Sequence, residues 1–292
     1  MTVLVTGASG LLGRAIVRTL AERDEVRATV RRAEAAEEVR SLGAKVAVRS
    51  ATEPEELIEI LSRVHTLVHL VGGVNQPDEA EVMRANHAAT LAAVAAAKEA
   101  GVRRIVLLSV PGADPDADQA FQRAKGLAEE AVVNSGLEHA VVRCAHAYGL
   151  GGLWFTSTVV AAEHGFVVGS GEQRLAPLFA DDVAAAVAAI DDRRDRVTGV
   201  WQLEGPDVLT ADEVFGLLGE GGSPDHLLPS EAAPRLSDLL GIPVSTATAE
   251  FFAVGTPAAA PDVDDAARAF DLVRTAFEEG LGITAAQAAR VG

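Results

Sequence analysis

Short apolar runs alternate along the chain with longer stretches whose apolar positions recur at helical spacing. Residues 3–6 (VLVT) are the first run, and a Leu/Ala-rich segment reaches from the glycines after it to about Glu22. Residues 26–30 put Val26, Ala28 and Val30 on one face and predict a second strand. The pattern then predicts a helix over 33–42, a strand over 45–48, and a helix over 53–62 with Pro54 in its first turn, where a missing N–H matters little. A strand over 64–71 stops at Gly72 and Gly73, and a long helix over 79–100 stops at Gly101. A strand over 103–108, a helix over 118–135 and a strand over 139–143 follow. The first, fourth and fifth runs are almost wholly apolar, as strands covered on both faces must be. The rhythm predicts an α/β fold: a doubly wound parallel sheet with helices on both faces.

Beyond residue 145 the rhythm loosens. Gly149, Gly151 and Gly152 mark loops, and helices are expected near 159–162, 183–190, 211–218 and 234–240, with strands at 166–168 and 200–203. A Pro/Ala-rich connector covers 255–262, and a last helical stretch is expected over 265–279. The expected organisation is a nucleotide-binding core over 1–145. Residues 146–292 should complete the sheet and form a small, mostly helical substrate region.

Composition narrows the function classes. With 292 residues, 49% of them hydrophobic, the chain can bury a sizeable core. A formal net charge of -17 opposes binding to nucleic acid phosphates, and the paired Arg31 and Arg32 stand out within it. The single cysteine, Cys144, rules out an intrachain disulfide and reads as a buried thiol. The seven histidines form no metal-binding spacing, so no metal is expected. The N-terminus enters a strand directly and no apolar run spans a bilayer, so a soluble, cytoplasmic protein without a membrane partner is expected.

The segment TGASGLLGR, residues 6–14, follows a strand and opens a helix, with glycines three residues apart. Gly7 allows the tight turn. Gly10 leaves room for a pyrophosphate to approach. Gly13 lets the helix pack against the sheet, while the amides around Ser9, Leu11 and Leu12 face the phosphates. This is the pattern of a Rossmann dinucleotide site. At the end of the second strand, an acidic residue would select NAD(H). Here stand Arg31 and Arg32, whose guanidinium groups suit a 2'-phosphate, so NADP(H) is the preferred cofactor and NAD(H) the lesser one. Gly72 would pass close to the cofactor, and Asn75 either faces the cleft or serves as a turn residue before Pro77.

These residues resemble the short-chain dehydrogenase/reductase superfamily in its atypical and extended branches, including epimerase/dehydratase-like and nitrogen-metabolite-repressor-like members and the nucleotide-binding accessory subunit of respiratory complex I. The likeness runs from the glycine turn through HLVGG (69–73), Asn86, Ser109, Lys125 and RCAHAYG (143–149). It continues through PLFADDVAAAV (177–187) and QLEGPDVLT (202–210). It implies a catalytic Ser109 and Lys125, with Asn86 supporting the lysine near the cofactor. It also implies that Asp181 and Asp182 cap a helix and brace the core. The family's tyrosine falls on Phe121, four residues before Lys125 and so on the same helix face. Phenylalanine carries no proton, so the usual proton transfer lacks its donor. Tyr148, the only tyrosine in the chain, is a replacement candidate, with His146 and Asp118 as other polar groups near element ends.

The sequence thus supports an atypical NADPH-dependent reductase of a ketone, enone or quinone-like carbonyl. Its substrate would be bulky and apolar, aromatic or polyketide-like, in a pocket drawn from Asn75, Phe121, His146, Trp154 and Phe155, with Phe166 and Phe179 as further wall candidates. The competing reading is a non-catalytic NAD(P)-binding sensor or accessory protein, for which Phe121 speaks and which a cleft filled by protein side chains would favour. An isomerase, epimerase or lyase is a third class, although epimerase chemistry needs the missing tyrosine. A monomer or a homodimer paired through the helices near 79–100 and 118–135 is expected.

Overall fold

The computed structural model describes residues 1–144, 146–192, 198–219, 221–258 and 264–291. The apolar runs become β1 (Thr2–Thr6), β2 (Glu25–Val30), β3 (Lys45–Val48), β4 (Thr66–His69), β5 (Arg104–Ser109) and β6 (Glu138–Cys144). The strand Gly199–Leu203 and the two-residue strand Asp264–Asp265 extend the sheet beyond β6. From one edge the order is Asp264–Asp265, Gly199–Leu203, β6, β5, β4, β1, β2, β3, and every pairing is parallel. Winding reverses between β1 and β4, which opens a crevice at their C-terminal ends.

The connecting helices are α1 (Leu11–Ala21), α2 (Ala36–Ser41), α3 (Pro54–Leu61), α4 (Glu79–Met83), α5 (Ala89–Glu99) and α6 (Ala120–Val133). After β6 come α7 (Leu153–Glu163), α8 (Ala180–Asp192), α9 (Ala211–Leu218), α10 (Pro229–Leu240), α11 (Thr246–Ala253), α12 (Ala266–Ala269) and α13 (Phe277–Val291). On one face of the sheet Val3, Val5, Val68 and Val106 pack with Ile16 and Leu20 of α1 and Val183 and Val187 of α8. On the other, Leu4, Leu67, Ile105 and Leu107 meet Leu57 of α3, Ala93 and Ala97 of α5, and Ala128 and Val132 of α6. The chain after residue 145 therefore returns two helices, α8 and α12, and two strands to the first core and its sheet. A second core, with Tyr148, Phe166, Val214, Leu236, Phe252 and Phe277, lies among α7, α9, α10, α11 and α13.

Two differences from expectation have identifiable causes. The long helix over 79–100 contains a π-turn, Arg84–Ala88. Within it the Asn86 amide donates both to the Val82 carbonyl (2.8 Å) and to the Gly73 carbonyl (3.1 Å), so a side chain tied to a neighbouring loop widens the turn. The expected helix over 265–279 is two helices. Asp271 adopts a positive φ (52°) between them, and carboxylates from elsewhere hold the restart. Asp182 accepts from the Thr275 amide (2.8 Å) and hydroxyl (2.9 Å), and Asp207 accepts from the Phe277 amide (2.7 Å). Gly280 and Gly282 hid α13 from the periodicity, and residues 259–262 of the expected connector lie outside the described residues.

Candidate cofactor and substrate site

The turn between β1 and α1 is shaped by backbone packing. Gly7 has φ +71°, and a Cβ on it would lie 3.0 Å from the Leu70 carbonyl carbon. A Cβ on Gly13 would lie 2.4 Å from the Gly7 oxygen, so α1 sits this close to the turn only because residue 13 has no side chain. Gly10 is exposed and is the N-cap of α1 without any side-chain cap, and a Cβ on it would meet only the Gly7 oxygen, at 3.5 Å. The first-turn amides of α1, including those of Leu11 and Leu12, therefore offer donors to an anion over an open approach. Ser9 contributes backbone, its carbonyl accepting from Arg14 (2.7 Å). Across the crevice, Gly72 and Gly73 have φ +132° and +151°, and a Cβ on Gly72 would strike the Asn86 Oδ1 at 2.2 Å. A cradle of this shape fits a dinucleotide pyrophosphate.

Arg31 and Arg32 are exposed beyond β2, and their side chains make no hydrogen bond or ion pair with the described residues. Arg49, which the sequence reading passed over, joins them at the same edge, because its amide bonds the Val30 carbonyl (3.0 Å). Its signal was the run VRS just after β3, next to β2 in a parallel sheet.

Asn86 departs from its expected cofactor role. It is fully buried, with both amide hydrogens donated and its Oδ1 accepting from the Gly73 amide (3.0 Å), so it shapes the crevice wall without facing the crevice. Asn75 also departs from its expected place in the pocket. It accepts from the Ser245 amide and the Thr248 hydroxyl (both 3.0 Å) and donates to the Pro243 carbonyl (2.9 Å), which latches α11 to the loop after β4.

A buried polar row crosses the sheet beneath α6. Thr6 and His69, paired in register, share a hydrogen bond (2.9 Å). Ser109 pairs in register with Arg143 and donates its hydroxyl to Glu129. Glu129 also holds the Arg143 guanidinium (2.7 Å), which reaches on to the Ala113 carbonyl (2.9 Å). Ser109 has thus given its one proton to a carboxylate and is not a free donor for a substrate oxygen. Glu129 was missed in the sequence, although it stands four residues after Lys125 on the buried face of α6.

Lys125 donates to the Leu108 carbonyl (3.1 Å), and burial lowers its pKa to about 8, against upward pulls from Glu129 and Cys144. Burial and the nearby Lys125 hold the fully enclosed His69 at about 3. Burial pushes the Cys144 thiol up to about 12, which matches an unreactive buried residue.

Phe121 is buried beside Lys125, whose Nζ lies 5.9 Å from the ring centroid. Phe251 of α11 meets it edge to face, with centroids 5.1 Å apart. Phe251 also lies 5.4 Å from His146, which lies 5.1 Å from Trp154. Phe121, His146 and Trp154 are therefore brought to one wall, with Phe251 between the first two. Phe155 is not among them; it packs 5.9 Å from Tyr148 in the second core. Phe166 and Phe179 also belong to that core.

Tyr148 does not take over the proton work. It is fully enclosed by Phe155, Phe179 and Phe277, and its hydroxyl donates to the Ala276 carbonyl (3.4 Å). Burial and nearby carboxylates push its pKa upward, and its hydroxyl fills the space left by Gly280, where a Cβ would come within 2.0 Å. Asp181 pairs with Arg18 and Asp182 binds Thr275, so these two brace helices against each other and do not cap α8.

Among the described residues no helix is long and apolar enough to cross a membrane, and no cluster of metal-ligating side chains occurs. A family model described as NAD(P)H-binding matches residues 7–191. An NAD(P)H azoreductase from Xenophilus azovorans is 28% identical over 261 residues, 87% of each chain. A mitochondrial NADH dehydrogenase [ubiquinone] 1 alpha subcomplex subunit 9 from Arabidopsis thaliana is 29% identical over 225 residues, 73% of this chain and 56% of that protein. The chain thus spans about half the length of that relative. In fold, the Citrobacter sp. triphenylmethane reductase complexed with NADP(H) superposes with a TM-score of 0.76, at 20% identity, over 97% of this chain and 100% of the other. With the glycine cradle and the parallel sheet in place, the chain belongs to the NAD(P)H-binding family, and Phe121 stands where the short-chain dehydrogenase/reductases that it resembles carry a tyrosine.

Proposed function

We propose that the protein is an NADPH-dependent reductase of a ketone, enone or quinone-like carbonyl on a bulky, apolar and aromatic or polyketide-like substrate. The observation that carries this reading is the buried Lys125 amine beside an aromatic wall of Phe121, Phe251, His146 and Trp154 at the end of the nucleotide crevice. The glycine turn receives the pyrophosphate, and Arg31, Arg32 and Arg49 meet a 2'-phosphate. Lys125 holds the nicotinamide ribose in place, and Ser109 supports it from the buried row through Glu129. When bound, the reduced nicotinamide supplies the hydride. The aromatic wall excludes water from the reacting carbon. The azoreductase and triphenylmethane reductase names describe activities on large aromatic molecules, which agrees with this wall.

A second reading, a non-catalytic NAD(P)-binding accessory protein, is favoured by one observation. The Phe251 ring fills the space in front of Phe121. Likeness to a subunit of a larger assembly points the same way. Titration with NADPH and NADH, followed by nicotinamide fluorescence at fixed ionic strength, tests the cofactor assignment. Hydride consumption with aromatic ketones and 1,4-naphthoquinone then tests catalysis. Tight NADPH binding with turnover supports the reductase, and NADPH binding without turnover across the panel supports the accessory reading. Binding of NADH alone removes the 2'-phosphate assignment.

A further inference from the structure

The hydroxyl missing at Phe121 leaves the site without a hydroxyl donor on α6. Among the described residues, the buried side-chain atoms with no hydrogen-bond partner include His69 Nε2, His146 Nε2, Ser157 Oγ and Asp191 Oδ1. His69 is sealed within the sheet, and Ser157 lies in the second core. His146 alone of these joins the wall that contains Phe121 and lines a small cavity with Pro111, Gln122, Phe251 and Thr256.

Its ring is oriented from behind. The Thr256 Oγ1 accepts from the Ala176 amide (3.3 Å) and lies 3.4 Å from His146 Nδ1. With the threonine proton turned toward Nδ1, the neutral imidazole carries its proton on Nε2. Burial keeps the imidazole neutral by lowering its pKa to about 4, against a smaller upward pull from a hydrogen bond to the backbone of Phe251, the residue a ligand would displace. A neutral N–H at the end of an aromatic slot donates a hydrogen bond without the desolvation penalty of a charge.

The slot has a ring in it. Phe251 lies edge to face with Phe121 (interplanar angle 88°) and tilted by 33° to His146, as a planar ligand between two ring walls would lie. Phe251 is only partly buried, and its helix α11 has eight residues. α11 is latched to the loop after β4 through Asn75. We propose that the space between Phe121 and His146 is the subsite for the ring of an aromatic, quinone-like substrate, which displaces Phe251, and that His146 Nε2–H donates the hydrogen bond to its oxygen. This assignment rests on the reductase reading for its chemistry but not for its test, which needs no nicotinamide.

The probe is 1,4-naphthoquinone, followed by quenching of Trp154 in the full chain carrying Trp201→Phe, which leaves one tryptophan. Phe251→Ala should bind the quinone about tenfold more tightly than its parent, and adding His146→Phe should reverse about tenfold of that affinity. Nitrogen NMR of the unmodified chain at neutral pH should show His146 neutral with its proton on Nε2. Equal quinone affinity with and without His146, no gain in Phe251→Ala, or a proton on Nδ1 overturns the assignment. Quinone binding that obeys these expectations in a protein that consumes no hydride overturns the reductase reading and leaves the subsite standing.

Discussion

The two ends of the crevice are built by opposite means. At the nucleotide end, the cradle consists of backbone: three glycines, the first turn of α1, and two glycines after β4, with side chains only at the rim. At the substrate end, the wall consists of side chains brought from four separate places. Phe121 comes from α6, His146 from the segment after β6, Trp154 from α7 and Phe251 from α11. The backbone end tolerates no added atom at Gly7, Gly13 or Gly72 but needs no distant partner beyond the loop after β4 and Asn86. The side-chain end is held by long-range latches such as Asn75 to α11 and Thr256 to His146. A local, preshaped cradle suits a constant ligand such as a dinucleotide pyrophosphate, whereas a wall assembled from side chains of separate elements suits a variable one.

The contrast predicts a ranking of effects. Gly13→Val should have the largest, because its Cβ meets backbone at 2.4 Å on Gly7 and 2.7 Å on Ala8 and nothing there can swing aside. We expect a loss of about 3 kcal/mol in denaturant unfolding together with loss of NADPH binding, read by fluorescence titration. Retained NADPH binding would show that α1 can move away from the turn.

Arg143→Met should come next, since it leaves Glu129 buried without its cation; about 3 kcal/mol is expected. Combining it with Glu129→Met should restore part of that loss, and thermal or urea unfolding of the three variants would show whether the buried row acts as a unit. Asn75→Ala should cost about 2 kcal/mol, with the change confined to the substrate end. Hydrogen exchange should accelerate in α11 and leave α1 as it was, and equal acceleration in both would contradict the division. Arg31→Ala with Arg32→Ala should leave stability almost unchanged and weaken NADPH binding by about tenfold, with NADH unaffected.

Acid should act at both ends of the crevice, through His69 beside the glycine turn and through His146 at the substrate end. His69 and His146 are held neutral in the fold, at about 3 and about 4, against 6.5 when unfolded. The unfolded chain therefore takes up protons first. Stability from these two is complete above pH 6.5 and falls as the pH drops from there through 4 toward 3. His146→Gln should flatten that slope in a urea-unfolding series between pH 4 and 6.5. Lys125 acts in the other range, since its folded value of about 8 lies below the unfolded 10.5, so stability rises as pH climbs through that interval.

How much of this was legible beforehand follows the same division. TGASGLLGR announced the cradle because Gly10 and Gly13 answer to Gly7 and Ala8 within the same turn, and the strand runs announced the sheet because burial on both faces demands apolar sequence. Arg31 and Arg32 were legible as charges, and Phe121 as a missing proton. The neighbours of Phe121 were not. Asn75 looked like a cleft residue and is a latch, Tyr148 looked like a spare donor and is core, and Phe155 faces Tyr148 although Trp154 beside it faces His146.

By itself, then, the sequence determined the parallel sheet, the glycine cradle and the family to which they belong, since those depend on periodicity and on contacts close along the chain. Only the tertiary structure decided what stands at the substrate end. Glu129 meeting Ser109, Thr256 directing His146, and Phe251 lying against Phe121 join residues separated by 20 to 130 positions. No local pattern encodes such meetings; they arise because α6, α7 and α11 must bury their apolar faces over the same crevice.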